Sequence, residues 1–186
     1  LKGRAYSLVP LVCESKLDQN EIPFDWSKDL KRDVVERLFQ EPWNTYPEDY
    51  PRRLKGLIAE SVGVRSENVV LSPGSNYHIT VLLSLFGARK NPGIVLSRPS
   101  FPLFEAHCKY QNIPYRVWPL NKALEYDLSL LPKLKEGTCV FFASPNNPVG
   151  NILSINLFCE LIEQNPNCYF IADEAYWEFV DQSYSH

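Results

Sequence analysis

The 186 residues contain no methionine, three histidines, no strong excess of one charge and no apolar run long enough to cross a bilayer. Each shortage removes a class of answer. The histidines, His78, His107 and His186, are too few and too scattered to build a zinc site. The cysteines, Cys13, Cys108, Cys139, Cys159 and Cys168, form no Cys-x-x-Cys pair. Cys139 and Cys168 open apolar runs, where a reduced thiol behaves as a small hydrophobe. A net charge of −3 gives neither nucleic acid nor an anionic membrane a reason to bind. The first residues, Leu1-Lys2-Gly3-Arg4-Ala5-Tyr6-Ser7, lack the apolar stretch and small-residue cleavage site of a secretory signal, which points to the cytoplasm. A chain that neither starts with methionine nor leaves an element in 181–186 to close a domain is expected to be a piece of something longer.

What is present is an ordinary soluble composition, 45% hydrophobic, enough for one well-buried domain. Residues 1–27 read as irregular. A helix is expected from Ser27 through Gln40, with Leu30, Val34 and Leu38 on one face, and a second from about Pro51 to Ser61, ended by Gly63. Strands and helices then alternate. Strands are expected at 68–71, 93–96, 115–118, 138–143 and 168–172, and helices at 75–86, 101–111, 128–135 and 154–164. Strands apolar on both faces that alternate with helices imply a mainly parallel sheet in a three-layer α/β/α sandwich. Ligands of such sheets bind at the carboxyl ends of the strands.

The unusual residues fall there. After 68–71 comes Pro73-Gly74-Ser75-Asn76, a glycine turn feeding a helix start, where backbone N–H groups and the helix dipole suit a phosphate. The same residues also suit a plain turn with Ser75 as the helix cap. After 93–96, Pro99-Ser100-Phe101-Pro102 braces an aromatic ring that serves either a ligand or the core. After 138–143, Ser144-Pro145-Asn146-Asn147-Pro148-Val149-Gly150 makes a rigid turn able to hold an amide in a fixed direction. After 168–172 comes Asp173-Glu174-Ala175-Tyr176. A carboxylate straight off an apolar strand is costly unless a positive group meets it. The alternative is a solvated acidic loop. Together the four turns describe a ligand with a phosphate, a flat ring, a ring oxygen and a protonatable ring nitrogen, and pyridoxal 5′-phosphate has all four.

These residues resemble the fold-type I pyridoxal-phosphate-dependent aminotransferases, in particular the histidinol-phosphate aminotransferase group, from Asn20 to Phe179. The Ser144–Gly150 and Asp173–Tyr176 segments are the most specific marks. The resemblance implies residues 1–45 as the N-terminal segment and helix of a small domain, and 46–186 as the first part of the cofactor-binding large domain. It implies Asp173 on the pyridine nitrogen, Asn147 and Tyr176 on the ring oxygen, Phe101 stacked on the ring, and Gly74, Ser75 and Asn76 on the phosphate. Asn20-Glu21-Ile22-Pro23 is similar to the family's substrate-side segment. Tyr46-Pro47 is similar to the loop whose tyrosine reaches the neighbouring subunit's cofactor phosphate, which implies a homodimer. The implied activity moves an amino group from an amino acid such as glutamate to a phosphorylated keto substrate. A threonine-phosphate decarboxylase-like lyase and a non-catalytic binding domain are the alternatives. The chain departs from the family in two places. Asn76 stands where the group usually has an acid, and no lysine follows Lys135, so the family's Schiff-base lysine and later arginines are absent. The 186 residues alone are expected to be inactive.

Overall fold

The computed structural model describes residues 14–16, 19–89, 93–180 and 183–184; Leu1 to Ser7, Cys13 and His186 lie outside the described residues. The chain falls into two compact units, Leu1–Asp49 and Tyr50–His186. In the first, helix α1 (Lys28–Gln40) starts where expected, with the Ser27 side chain accepting from the Leu30 N–H. Its apolar face, Leu30, Val34 and Leu38, is exposed, and Trp43 folds back to stack on Phe39 at 5.7 Å and to donate to the Leu38 carbonyl.

The second unit begins with α2 (Arg52–Ser61), closed by Gly63 at φ +69°. It continues through α3 (Ser75–Gly87), β1 (Ile94–Arg98), α4 (Pro102–Tyr110), β2 (Tyr115–Pro119), β3 (Cys139–Ala143), α5 (Ile155–Gln164) and β4 (Tyr169–Asp173). The four strands are parallel in the order β2-β1-β3-β4. Alternation along β1 and β3 creates two cores. Ile94, Leu96, Cys139 and Phe141 face α3 and α4 through Ile79, Leu83, Phe86 and Phe104. Val95, Val140 and Phe142 face the other way, onto Trp118, Leu153 and Leu161. Each such side chain contributes about 1.5–3 kcal/mol on burial, and the result is the expected three-layer α/β/α arrangement.

The topology fixes where a ligand fits. From β1 the chain crosses through α4 to β2 on one side; from β3 it crosses through α5 to β4 on the other. Right-handed crossovers running in opposite directions put their helices on opposite faces, as observed. The order reverses between β1 and β3, and at such a switch point the loops splay apart to leave a crevice at the strands' carboxyl ends.

Two expected elements are not formed as read. Residues 68–71 are extended at Val69 but pair with no strand among the described residues; Ser66–Asn68 make a 3-10 turn instead, and Val70 is exposed. The β-branched composition favours extended backbone, as at Val69, but a strand also needs a neighbour. The expected helix at 128–135 is a single 3-10 turn, Leu128–Leu130. Asp127 accepts from the Ser129 N–H and hydroxyl, and Pro132 cannot continue a helix. The described cysteines are free; burial pushes the Cys108 thiol up to about 11 and raises that of Cys139. Among the described residues no group of His, Cys, Asp or Glu is arranged to hold a metal, and no helix is long and apolar enough to cross a membrane.

Candidate functional site

A hollow of about 270 Å³ opens at the carboxyl ends of β1, β3 and β4. Gly74, Ser75, Asn76, Phe101, Asn147, Asp173 and Tyr176 all line it, so seven of the residues singled out from sequence meet around one space. Asn20 and Tyr46 belong to the first unit, where both are exposed.

Gly74 is the N-cap of α3, at φ +84° and ψ 161°, so Ser75 is the first helical residue and not the cap. The correction has a physical reason. Only glycine enters this backbone region readily, and the Ser72 hydroxyl already bonds the Gly74 carbonyl at 3.0 Å. Among the described residues the Ser75 and Asn76 side chains have no hydrogen-bond partner. The first N–H groups of any α-helix lack an intrahelical acceptor, so backbone and side-chain donors converge on one end of the hollow.

Phe101 follows β1 as the N-cap of α4, with Pro102 in the first turn. Its ring meets Phe104 edge-on at 5.9 Å and packs on the core, so it serves both core and hollow. After β3, Ala143 and Pro145 contribute apolar walls that sequence reasoning passed over; so do Pro73 and Ala175. Position at a strand end was the available signal for Ala143 and Ala175. The two asparagines of the turn separate here. Asn147 lines the hollow with no hydrogen-bond partner among the described residues, while Asn146 is buried behind it.

Asp173 ends β4 opposite Ala143, and its carbonyl accepts from the Ser144 N–H at 3.0 Å. Its carboxylate is half-buried. Burial raises its pKa above the usual aspartate value, opposed only by the Ala175 N–H, which donates to Oδ1 at 3.1 Å. No cation among the described residues pairs with it. A partly desolvated acid at the edge of a hollow is a ready partner for a protonated ring nitrogen. Tyr176, three residues on, also lines the hollow, while Glu174, next to Asp173, accepts from the Tyr184 N–H at 3.0 Å. Behind the site, the Tyr126 hydroxyl donates to the Ala143 carbonyl at 2.6 Å, its own pKa raised by burial.

The lining therefore fits a small aromatic phosphate: N–H, hydroxyl and amide donors at Gly74-Ser75-Asn76, an aromatic wall at Phe101, an amide and a phenol at Asn147 and Tyr176, and an acid at Asp173. In architecture this is a doubly covered parallel α/β domain with its ligand hollow at the topological switch point. The profile of aminotransferase class I and II matches residues 15–186, and the chain belongs to that family. A histidinol-phosphate aminotransferase from Pelodictyon phaeoclathratiforme (strain DSM 5477 / BU-1) is 33% identical over 91% of this chain and 48% of its own length. A structure described as a putative histidinol-phosphate aminotransferase from Erwinia carotovora atroseptica SCRI1043 superposes with a TM-score of 0.76 at 23% identity, over 90% of this chain and 50% of that one. A PLP-bound putative aminotransferase from Clostridium difficile 630 superposes with a TM-score of 0.63 at 22% identity, over 82% and 42%. Pyridoxal phosphate is the cofactor the family implies. The chain spans about half the length of the curated relatives it matches.

Proposed function

We propose that the intact protein is a pyridoxal-phosphate-dependent aminotransferase that moves an amino group from an amino acid such as glutamate to a phosphorylated keto substrate. The observation that carries this is the meeting of four turns, far apart in sequence and three of them at strand ends, around one hollow lined by a half-buried aspartate that no cation among the described residues meets.

In this reading Asp173 binds the pyridine nitrogen and keeps it protonated. A charge-assisted bond of this kind contributes about 1.5–3 kcal/mol, and the cationic partner draws the aspartate back to its ionised form. Asn147 donates its amide, and Tyr176 its hydroxyl, to the ring oxygen. Phe101 covers one ring face, and Gly74, Ser75 and Asn76 hold the phosphate through N–H, O–H and amide donors. When bound, the cofactor supplies an electron sink for the substrate carbon that gains or loses the amino group. Residues 1–45 belong to the small domain, with Asn20 beside the substrate, and 46–186 begin the cofactor domain. The enzyme is a cytoplasmic homodimer in which Tyr46 reaches the partner subunit's cofactor phosphate. The exposed apolar face of α1 is in keeping with a covering surface. The lysine that bonds the cofactor is expected beyond His186.

The test is amino transfer by the intact protein from glutamate to an imidazolyl keto phosphate, followed as 2-oxoglutarate release. Asp173→Ala is expected to abolish it; unchanged turnover in that variant excludes the assigned role. Carbon dioxide release from a phosphorylated amino acid, without amino transfer, would instead mark the decarboxylase-like alternative. Cofactor binding with neither activity would mark the non-catalytic one.

A further inference from the structure

The two adjacent asparagines after β3 do different work. Asn147 lines the hollow, whereas Asn146 is 1% exposed and does not. The Asn146 amide nitrogen donates to the Pro99 carbonyl at 3.0 Å and to Asn151 Oδ1 at 3.1 Å. Its backbone closes the same turn, with its N–H donating to the Asn151 carbonyl at 2.9 Å and its carbonyl accepting from the Gly150 N–H at 2.6 Å. Pro99 belongs to the connection from β1 to α4, two residues before Phe101. One buried amide therefore ties the turn that presents Asn147 to the turn that presents Phe101.

We infer that Asn146 is a positioning residue that holds these two walls of the hollow in fixed register. Both ties need a donor, and an NH₂ group supplies two from one atom; a carboxylate there would face acceptors with acceptors. Through those two ties its contribution is geometric: they fix one turn against the other. The consequence for ring binding rests on the cofactor reading above; the coupling of the two turns does not.

Hydrogen exchange by mass spectrometry on the full chain tests the coupling. Asn146→Ala is expected to speed exchange in both 98–104 and 144–151. Leu161→Ala, a buried core change on the opposite face of the sheet, is expected to speed exchange in α5 and leave 98–104 alone. A rise confined to 144–151, or the same rise in both variants, overturns the inference. Asn146→Asp, isosteric but without the donors, is the second variant should the alanine form fail to fold. The second arm titrates pyridoxamine 5′-phosphate into the intact protein. Loss of two neutral hydrogen bonds predicts affinity about tenfold to a hundredfold weaker in Asn146→Ala. A difference under about twofold overturns positioning of the ring contacts. Absence of binding to the unsubstituted protein counts against the cofactor reading, and the exchange arm still decides the coupling.

Discussion

At the scale of single residues, the acid at the end of β4 carries the clearest electrostatic signature. Burial raises the Asp173 pKa in the folded chain, so the folded state holds that proton more tightly than the unfolded state. Its contribution to the cofactor-free chain is therefore favourable at low pH and falls as pH rises from the ordinary aspartate range through the raised folded value. Asp173→Asn, which cannot ionise, is expected to gain in melting temperature relative to the parent as pH goes from about 3 to about 7. A difference that stays flat or shrinks with pH contradicts the assigned burial. Asp173 was legible in the sequence because a carboxylate directly after an apolar strand demands an explanation. The Asn146–Asn147 pair was only half legible. Adjacent identical side chains carry no sequence mark of which is buried, and only the packing of Pro99 and Asn151 around the first distinguishes them. The alternative of Ser75 as the helix cap fails for a related reason. Sequence shows a favourable side chain but not the backbone angle one residue earlier.

At the scale of elements, one substitution is expected to have opposite signs at two glycines. Gly74 holds a positive φ in a region nearly restricted to glycine, although a Cβ there would meet nothing within 4 Å. Gly74→Ala is expected to cost about 1–3 kcal/mol from backbone strain. Gly56 lies inside α2 with equally open surroundings and no unusual φ. Gly56→Ala is expected to stabilise by about 0.5–1 kcal/mol through the unfolded chain's lost freedom. Denaturant midpoints measure both, and a loss at Gly56 or a gain at Gly74 contradicts the account. The helices and buried strands were legible to within a residue or two, because periodicity and capping residues such as Ser27 and Ser154 act locally. Residues 68–71 and 128–135 were not. The first depends on a neighbouring strand, and the second on Asp127 competing for the N–H groups that a helix needs.

At the scale of the whole molecule, the sheet order was not legible, since nothing local tells β3 to pair with β1 rather than with β2. The convergence at strand ends was legible, because parallel strands put every β-to-α turn on one rim. The homodimer reading makes a prediction at this scale. Mixing Tyr46→Ala subunits with Asp173→Ala subunits of the intact protein is expected to restore activity through hybrid dimers. Each hybrid carries one site with both lesions and one with neither. Mixtures no more active than the separate variants contradict a tyrosine shared across subunits.

The central claim is that Asp173, Asn147 and the Gly74-Ser75-Asn76 turn hold one aromatic phosphate. Pyridoxamine 5′-phosphate tests it most directly, because it fills the same contacts without a covalent bond to lysine. Calorimetric titration of the intact protein is expected to show saturable binding of one molecule per chain, lost in Asp173→Ala and weakened in Asn147→Ala. Binding that survives both substitutions unchanged, or none by the unsubstituted protein, would contradict the account.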